Sequence, residues 1–520
     1  MNDTLMTRGK AIVAGIIAGV FAAIVMTVVM LILALFGIAT PLSILGDRIS
    51  VFFKPEPFLA LMGRVGGYNH LKQLGVGSTI AGQLFVGAFG GAIYGMLRGP
   101  RGRRNVLVTF AILVLLPLFV AMIALAPVLG TSYRGFPIAM ASALTIGGLF
   151  VSFIAFERAL VFGFRFFTRP RTLINDQEFT PPIGRRALLL GGIGLVIAGG
   201  GAAIMRALYR AATFSYDGTQ YKGRIVQPIT PNELFYCVTK NIVDPTVDAS
   251  LWRLEISGLV KNPRNLRYQE LKTLPAIEQE TTLMCISNGL DAGLISNALW
   301  KGTPMRGLLE AAQPLVSPAK VKLHGVDNYT DTFPLEKAME ETTLVAYEMN
   351  GAFLPYRHGF PARVIVPGYF GEKHVKWLTR IEVVEADAKG FYETQGWGPD
   401  FITPTRSRID VPYHEETFPL AVAANGIPVK GVAFGGDRGI SRVEISFDDG
   451  NEWDDAKIDY PGTKLTWALW SYDWRPDDAD NYTLVVRATD GDGEIQQYDP
   501  NRPFKSGATG FHKIVVHITA

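Results

Sequence analysis

The sequence predicts a multi-domain chain: five N-terminal transmembrane α-helices, then an α+β domain, then a C-terminal Ig-like β-sandwich. Three observations carry this. The 520 residues, at roughly 100–200 per domain, make three or four domains. A mean hydropathy of +0.20 with only 19% charged residues is too apolar for an ordinary soluble protein. Charge is also split along the chain. Residues 1–215 hold 19 Lys+Arg against 6 Asp+Glu, whereas 216–520 hold 31 against 41. A basic, apolar part followed by a mildly acidic one reads as a membrane region and a water-soluble module. The basic excess is no nucleic-acid signal, because its charges sit between apolar runs and not on one polar face.

Crossing a bilayer takes about 20 apolar residues. Within the expected membrane region, 1–210, five stretches qualify: 11–36, 75–97, 106–130, 136–158 and 187–206. The first is free of charge. The second is uncharged but rich in glycine. The third and fourth read as a helical pair around a turn at Arg134. Orientation follows from Lys and Arg in short loops. Arg98, Arg101, Arg103 and Arg104 follow the second span, and Arg158, Arg165, Arg169, Arg171, Arg185 and Arg186 follow the fourth. The expectation is a multi-pass cell-membrane protein with a cytoplasmic N-terminus and an extracytoplasmic soluble part. Gly184-Arg185-Arg186-Ala187 reads equally as a positive-inside pair and as an internal twin-arginine export signal. Residues 1–215 contain one histidine, His70, expected in a loop, and Glu157 is expected at a span end. Bis-histidine haem and a proton relay are therefore not expected there. The helices read as an anchor or a docking surface.

A polar linker, 211–230, leads to a domain over 231–400 that mixes strand and helix patterns. Trp252–Leu259 alternates like a strand, and Pro304–Ala312 reads as a short helix. Arg363–Val366 reads as a buried strand stopped by Pro367-Gly368, and Lys376–Val384 as another strand. Over 410–520, short strands alternate with turn signals such as Asp448-Asp449-Gly450 and Asp490-Gly491-Asp492-Gly493, which predicts the sandwich. Trp453, Trp467, Trp470 and Trp474 are its expected core or interface aromatics.

The two cysteines, Cys237 and Cys285, exclude a disulfide-stapled fold and any all-cysteine zinc or iron–sulfur site within one chain. There is no C-x-x-C-H, no G-x-G-x-x-G after a strand, no G-x-x-x-x-G-K-[ST] and no G-x-S-x-G. Neither haem nor flavin nor NAD is expected in this chain.

Four segments remain. They are Thr282-Leu283-Met284-Cys285-Ile286-Ser287-Asn288, Ala346-Tyr347-Glu348-Met349-Asn350-Gly351, His358-Gly359-Phe360-Pro361-Ala362-Arg363 and His374-Val375-Lys376-Trp377. In this order and spacing, 231–395 resembles the sulfite oxidase family of molybdopterin-dependent oxidoreductases. The β-rich 415–520 resembles that family's C-terminal, often dimer-forming, sandwich. The resemblance implies molybdenum held by two dithiolene sulfurs of molybdopterin and one protein thiolate. By position that catalytic, metal-binding residue is Cys285. A soft thiolate suits the metal, and binding removes its proton. Without the flanking motifs, Cys285 would read as an ordinary buried thiol. The resemblance further implies that Asn232, Phe235 and Tyr236 line the pterin and that His358, Arg363, His374, Val375 and Lys376 bind it. Asp327, in Gly325-Val326-Asp327-Asn328-Tyr329, matches a further contact. A planar guanidinium suits the pterin phosphate, and Lys376 adds a point charge. Read singly, His358 is a satisfied core histidine, and Arg363 and Lys376 are surface charges.

Asn232, Phe235 and Tyr236 resemble the methionine-sulfoxide reductase branch. Sulfite oxidases continue this segment with V-R-N-H, where Cys237-Val238-Thr239-Lys240-Asn241 stands here. Their sulfite-binding arginine is thus absent, unless Lys240 or Lys373 substitutes. Their active-site tyrosine falls near Gly396 and Trp397, with Tyr392 the nearest tyrosine. The expectation is two-electron oxygen-atom transfer on a small oxo-substrate, with sulfoxide-type reduction favoured over sulfite oxidation. A separate electron-transfer protein, or a membrane quinone or cytochrome, would exchange the electrons, and the sandwich offers a homodimer surface. No nucleic-acid partner is expected. The competing reading is a non-catalytic membrane protein that displays the sandwich to a partner.

Overall fold

In a computed structural model, the residues described are 8–50, 64–98, 106–132, 134–168, 205–210, 226–239, 244–315, 319–499 and 504–520, with isolated positions between them. They divide into a helical unit and a β-rich unit.

Four helices are long and apolar enough to cross a membrane: Arg8–Leu35, Tyr68–Arg98, Val106–Val128 and Ile138–Thr168. They match the first four expected spans. All but the last few residues of the fifth, 187–206, lie outside the described residues, as do Arg101, Arg103, Arg104, Arg185 and Arg186. The glycines that weaken the second span as a hydropathy signal are what allow it to pack. A Cβ on Gly15 or Gly19 would stand 2.1 Å from the carbonyl oxygen of Gly91 or Gly87, and one on Gly95 would stand 2.3 Å from that of Ala11. Small residues every fourth position let two backbones touch, as helices do where apolar burial gives no advantage over lipid. Gln83 Nε2 donates to Thr27 Oγ1 across the same pair at 2.8 Å. Val106–Val128 has a π-helical turn at Ala111–Leu115 just before Pro117, whose missing N–H breaks the regular ladder.

Two expectations for this unit are corrected. His70 stands in the first turn of Tyr68–Arg98, not in a loop. Glu157, expected at a span end, is 1% exposed inside Ile138–Thr168. That helix runs past 158 because Ala159, Leu160, Val161 and Phe164 continue the apolar contact with Ala14, Ala18 and Ala22.

The β-rich unit begins with two sheets. The first holds β1 (Arg253–Gly258), β2 (Arg264–Arg267), β5 (Ala319–Gly325), β6 (Thr330–Pro334) and β10 (Leu378–Glu385). The second holds β3 (Ile277–Met284), β4 (Ile295–Pro304), β7 (Leu344–Met349), β8 (Ala352–Phe353) and β9 (Arg363–Ile365). Their orders are β2-β1-β10-β5-β6 and β3-β4-β7-β8, with β9 paired to β7. Strict alternation along β5 buries one face only, as a half-solvated strand requires. β9 is buried throughout, so it carries no alternation. The helix Met305–Ala312 puts Met305, Leu308, Leu309 and Ala312 into the core with Trp252, Val321 and Phe333.

The chain then forms two packed sheets. One holds β11 (Arg406–Val411), β13 (Ile427–Phe434), β16 (Lys457–Tyr460) and β17 (Ala468–Trp474). The other holds β12 (Glu416–Pro419), β14 (Ile440–Ser446), β15 (Asp454–Asp455), β18 (Asn481–Asp490) and β19 (His512–Thr519). Val429, Ala433, Trp470 and Trp474 from the first meet Ile445, Leu484, Val486 and Val516 from the second. Trp467 instead packs with Met284, Ile286, Ile295 and Phe370, joining the sandwich to β3 and β4. Residues 226–230, expected in the linker, are held on the domain: Thr230 N donates to Asn297 O at 2.8 Å. Pro228 O accepts from Asn297 Nδ2 at 2.9 Å and from Trp467 Nε1 at 3.0 Å.

Candidate active site

β3 runs directly into Cys285, and a tight loop over 285–294 returns the chain to β4. Cys285 N donates to Leu294 O at 3.0 Å, Asn288 N donates to Cys285 O at 3.0 Å, and Leu294 N donates to Asn288 Oδ1 at 2.8 Å. Cys285 Sγ lies 3.1 Å from Ser287 Oγ. Burial pushes the thiol up to about 11, against the pull of the Ser287 hydrogen bond. The thiol therefore keeps its proton in the cofactor-free protein, and a bound metal must displace it.

The Ala346–Gly351 motif is a scaffold. Asn350 and Gly351 have φ of 52° and 75°, so the β7–β8 hairpin turns through two left-handed residues, the Asn-Gly pattern. Asn350 Oδ1 accepts from Leu299 N at 2.9 Å. Its Nδ2 donates to Thr230 O at 2.9 Å and to Asn232 Oδ1 at 2.8 Å. One side chain thus ties the 230–236 segment to β4. Phe235 and Tyr236 stack at 5.6 Å, and Phe235 meets Trp300 and His358 edge-on at 5.6 and 5.4 Å. A Cβ on Gly371 would stand 2.5 Å from Tyr236 Oη and 3.6 Å from Cys285 Cα, so the Gly371 backbone closes against both.

The basic residues gather opposite. Arg363 is 4% exposed, not a surface charge. Its Nη1 donates to His358 O and its Nη2 to His374 O, each at 3.1 Å, and Nε has no partner. The guanidinium lies 5.0 Å from the Trp300 ring. Among the described residues no carboxylate pairs with it, and burial pulls it down to about 10. His358 Nε2 donates to Asn232 O at 2.9 Å. His374 Nδ1 accepts from Val366 N at 3.1 Å and Nε2 donates to Tyr369 O at 3.2 Å, so both ring nitrogens serve the backbone. Burial pulls both histidines down to about 3, and they are neutral at working pH. Lys376 Nζ donates to Val238 O at 3.2 Å and Arg357 O at 3.1 Å, and lies 3.7 Å from Cys237 Sγ. Val375 is buried between, its N donating to Lys373 O at 3.1 Å. Asp327 Oδ1 accepts from Tyr329 N at 3.2 Å. A Cβ on Gly325 would meet both Asp327 Oδ1 (2.7 Å) and Lys376 O (2.9 Å).

Thus Asn232, Phe235, Tyr236, His358, Arg363 and His374 form one connected patch, and Cys285 joins it through Gly371 and Tyr236. Lys376 neighbours the second cysteine, Cys237. An acidic group near Cys285 escapes sequence reasoning. Glu372 has both carboxylate oxygens shut off from solvent, without a hydrogen-bond partner among the described residues. Burial pushes it up to about 8, and its charge is felt at Cys285, Tyr236, Tyr329 and Tyr392. Burial raises the Tyr392 hydroxyl, with Cys285 the next cause. Tyr392 packs against the cluster that holds Met284 and Ile286, the two neighbours of Cys285. Lys373 is 1% exposed, with Nζ 2.7 Å from Asp331 Oδ1 and 3.8 Å from Glu393 Oε2. It is paired with carboxylates. Lys240 lies outside the described residues. The only sequence signal for Glu372 and Lys373 is a charged pair inside an apolar run.

Glu372 makes stability depend on pH. Its folded value of about 8 lies above the ordinary 4.5, so the stability it permits is complete below 4.5 and is lost as pH rises through 8. Glu372→Gln is therefore expected to raise the unfolding temperature of the cofactor-free chain at pH 8.5 and to leave it nearly unchanged at pH 4.5. An equal gain at both pH values would show that the carboxyl is not held neutral.

Among the described residues no three His, Cys, Asp or Glu side chains converge to hold a metal by themselves. A buried, unpaired guanidinium with an orphan N–H fits an anionic group of an organic cofactor.

Two protein families match the chain: the oxidoreductase molybdopterin binding domain over 241–392 and the Mo-co oxidoreductase dimerisation domain over 401–519. Sulfite oxidase of Gallus gallus is 33% identical over 317 residues, covering 52% of this chain and 68% of that protein. Mitochondrial sulfite oxidase of Homo sapiens is 32% identical over 344 residues, covering 56% of this chain and 62% of that protein. Nitrate reductase [NADPH] of Emericella nidulans is 30% identical over 341 residues, covering 52% of this chain and 39% of that protein. The chain thus spans less than two thirds of the length of the human and fungal relatives. A molybdopterin domain sets aside the reading of a non-catalytic display protein.

Proposed function

The chain belongs to the sulfite oxidase family of molybdopterin oxidoreductases, and on that premise we propose that it is a membrane-anchored enzyme reducing a small, neutral oxo-substrate of the sulfoxide type. When bound, the cofactor supplies two-electron transfer of an oxygen atom. Cys285 provides the protein's thiolate to molybdenum. Arg363 pairs with the pterin phosphate, which relieves its unmatched buried charge. Asn232, Phe235 and Tyr236 line the pterin. His358, His374 and Val375 would hold the backbone of the binding segment, and Lys376 and Asp327 would add further contacts to the cofactor.

The observation that carries the substrate class is the Lys373–Asp331 pair at 2.7 Å. It engages one of the two lysines that the sequence offers as a sulfite-binding cation, and Glu372, Tyr236 and Tyr392 join Ser287 among the polar groups near Cys285. An anion there meets like charge, and is repelled, as Glu372 ionises. A sulfoxide oxygen is neutral and accepts hydrogen bonds from hydroxyls, which burial keeps protonated at Tyr236 and Tyr392. The reaction balances as one sulfoxide, two electrons and two protons giving one thioether and one water. The S–O bond breaks, the sulfur is reduced, and Glu372 holds one of the protons. A separate electron-transfer protein, quinone or cytochrome supplies the electrons. The four apolar helices and the charges around them support a multi-pass anchor with a cytoplasmic N-terminus, and a fifth span at 187–206 would carry the site to the extracytoplasmic side. The Mo-co dimerisation domain supports a homodimer.

Full-length protein from a host that makes the cofactor tests this. Methionine sulfoxide reduction with a reduced viologen is expected to exceed sulfite oxidation with ferricyanide at least tenfold in kcat/KM. The opposite ranking sinks the sulfoxide reading.

A further inference from the structure

The loop bearing Cys285 is held from outside its own domain. Two arginines at the start of β11, the edge strand of the sandwich, reach into it. Arg406 is 6% exposed and forms no ion pair among the described residues. Its Nη1 donates to Asn288 O at 2.8 Å and lies 3.7 Å from Met284 Sδ, and its Nη2 donates to Gly289 O at 2.6 Å. Arg408 pairs with Asp410 through Nε at 2.5 Å and donates from Nη1 to Ala292 O at 2.5 Å.

A buried guanidinium without a carboxylate partner is costly, and an apolar side chain of similar size would fill the same space at less cost. Arg406 therefore has a task that shape alone does not serve. The 285–294 loop closes on itself through amides (Cys285 N, Asn288 N and Leu294 N), but its carbonyls at 288, 289 and 292 point toward β11. Without the two arginines the Asn288 and Ala292 carbonyls lack donors among the described residues and Gly289 O keeps only the long bond from Ala292 N at 3.3 Å, and a carbonyl that loses its donor favours another loop conformation. The strand leading into Cys285 is fixed to the same sheet: Thr282 N donates to Leu465 O at 3.0 Å, and Trp467 N donates to Thr282 Oγ1 at 2.9 Å. Sandwich contacts thus grip the chain on both sides of Cys285.

We propose that Arg406, assisted by Arg408, is a positioning residue for the Cys285 thiolate, so that the sandwich sets the geometry of the metal-binding loop in addition to any role in dimerisation. The proposal rests on Cys285 being the molybdenum ligand.

Full-length wild type, Arg406→Met and Arg406→Lys are compared in two ways. In the cofactor-free protein, Arg406→Met is expected to speed amide exchange at Cys285, Asn288 and Leu294 at least tenfold, with β18 and β19 unchanged, and Arg406→Lys to recover part of the protection. In the loaded protein, the thiolate-to-molybdenum absorption is expected to shift in Arg406→Met and to move back toward wild type in Arg406→Lys. Unchanged loop exchange overturns the clamp. So does a parallel rise in β18 and β19, which would mean general loosening. Faster loop exchange with an unmoved absorption band overturns the positioning of the thiolate. Wild type without molybdenum refutes Cys285 as ligand, and with it the positioning role, whatever the exchange shows.

Discussion

Replacing Cys285 by serine is expected to strip molybdenum from the full-length protein, from about one per chain to near none, and to abolish turnover while leaving the fold in place. The loop does not depend on sulfur for its shape. Its hydrogen bonds run through the amides of Cys285, Asn288 and Leu294, and Sγ lies 3.1 Å from Ser287 Oγ. A serine Oγ keeps that contact in nearly the same volume, so the unfolding temperature of the cofactor-free chain should change little. The ligand chemistry does depend on sulfur. Even with burial, the thiol titrates near 11, within reach of metal displacement. A serine hydroxyl is a harder donor and far less acidic, so it is a poor match for a soft centre. Elemental analysis alongside thermal unfolding decides the matter. A Cys285→Ser protein that keeps stoichiometric molybdenum and activity would refute the thiolate assignment.

Arg363→Met should act on the loaded enzyme and spare the empty one. Two opposing terms meet in the empty protein. Losing the bonds to His358 O and His374 O costs about 1–3 kcal/mol each. Removing a desolvated, unpaired cation recovers a few kcal/mol, on the order of its depression from 12.5 to about 10 at roughly 1.4 kcal/mol per unit. These nearly cancel, and the unfolding temperature should move by only a few degrees. In the loaded protein there is no such offset. Truncating one partner of a buried charge pair costs about 2–5 kcal/mol, or roughly 30- to 4000-fold in retention at 1.4 kcal/mol per tenfold. Molybdenum and pterin remaining after extended dialysis measure this. Arg363→Lys keeps the charge but not the planar fork, and should fall between. If Arg363→Met holds its cofactor as tightly as wild type, the guanidinium faces something other than the pterin phosphate.

Parts of this site are legible one residue at a time. Cys285, His358 and Arg363 are singled out by motifs that resemble those of the sulfite oxidase family, and the structure brings His358 and Arg363 into contact. The single-residue readings fare differently. Arg363 reads as a surface charge because arginine is rarely buried alone, yet β9 carries it inward beneath Trp300. Asn350 reads as part of a family signature, and its hydrogen bonds show it to be a bracket for the 230–236 segment. Glu372 carries no local mark at all, since only the surroundings distinguish a solvated glutamate from one whose oxygens have no partner among the described residues. The helical unit shows the same limit. Hydropathy finds its spans, while Glu157 and His70 are misplaced because helix ends follow packing and capping, not the apolar run alone.

The order of modules, the apolar spans, the strand alternation and the identity of the family were determined by the sequence alone. Bilayer thickness, the two-residue period of a strand and the chemistry of a thiolate act on neighbouring residues, so they leave local traces. The charge state of Glu372, the commitment of Lys373 to Asp331 across 42 positions and the reach of Arg406 to Asn288 across 118 were decided only by the tertiary structure. Desolvation and pairing depend on which distant groups arrive at the same place, and no run of adjacent residues records that.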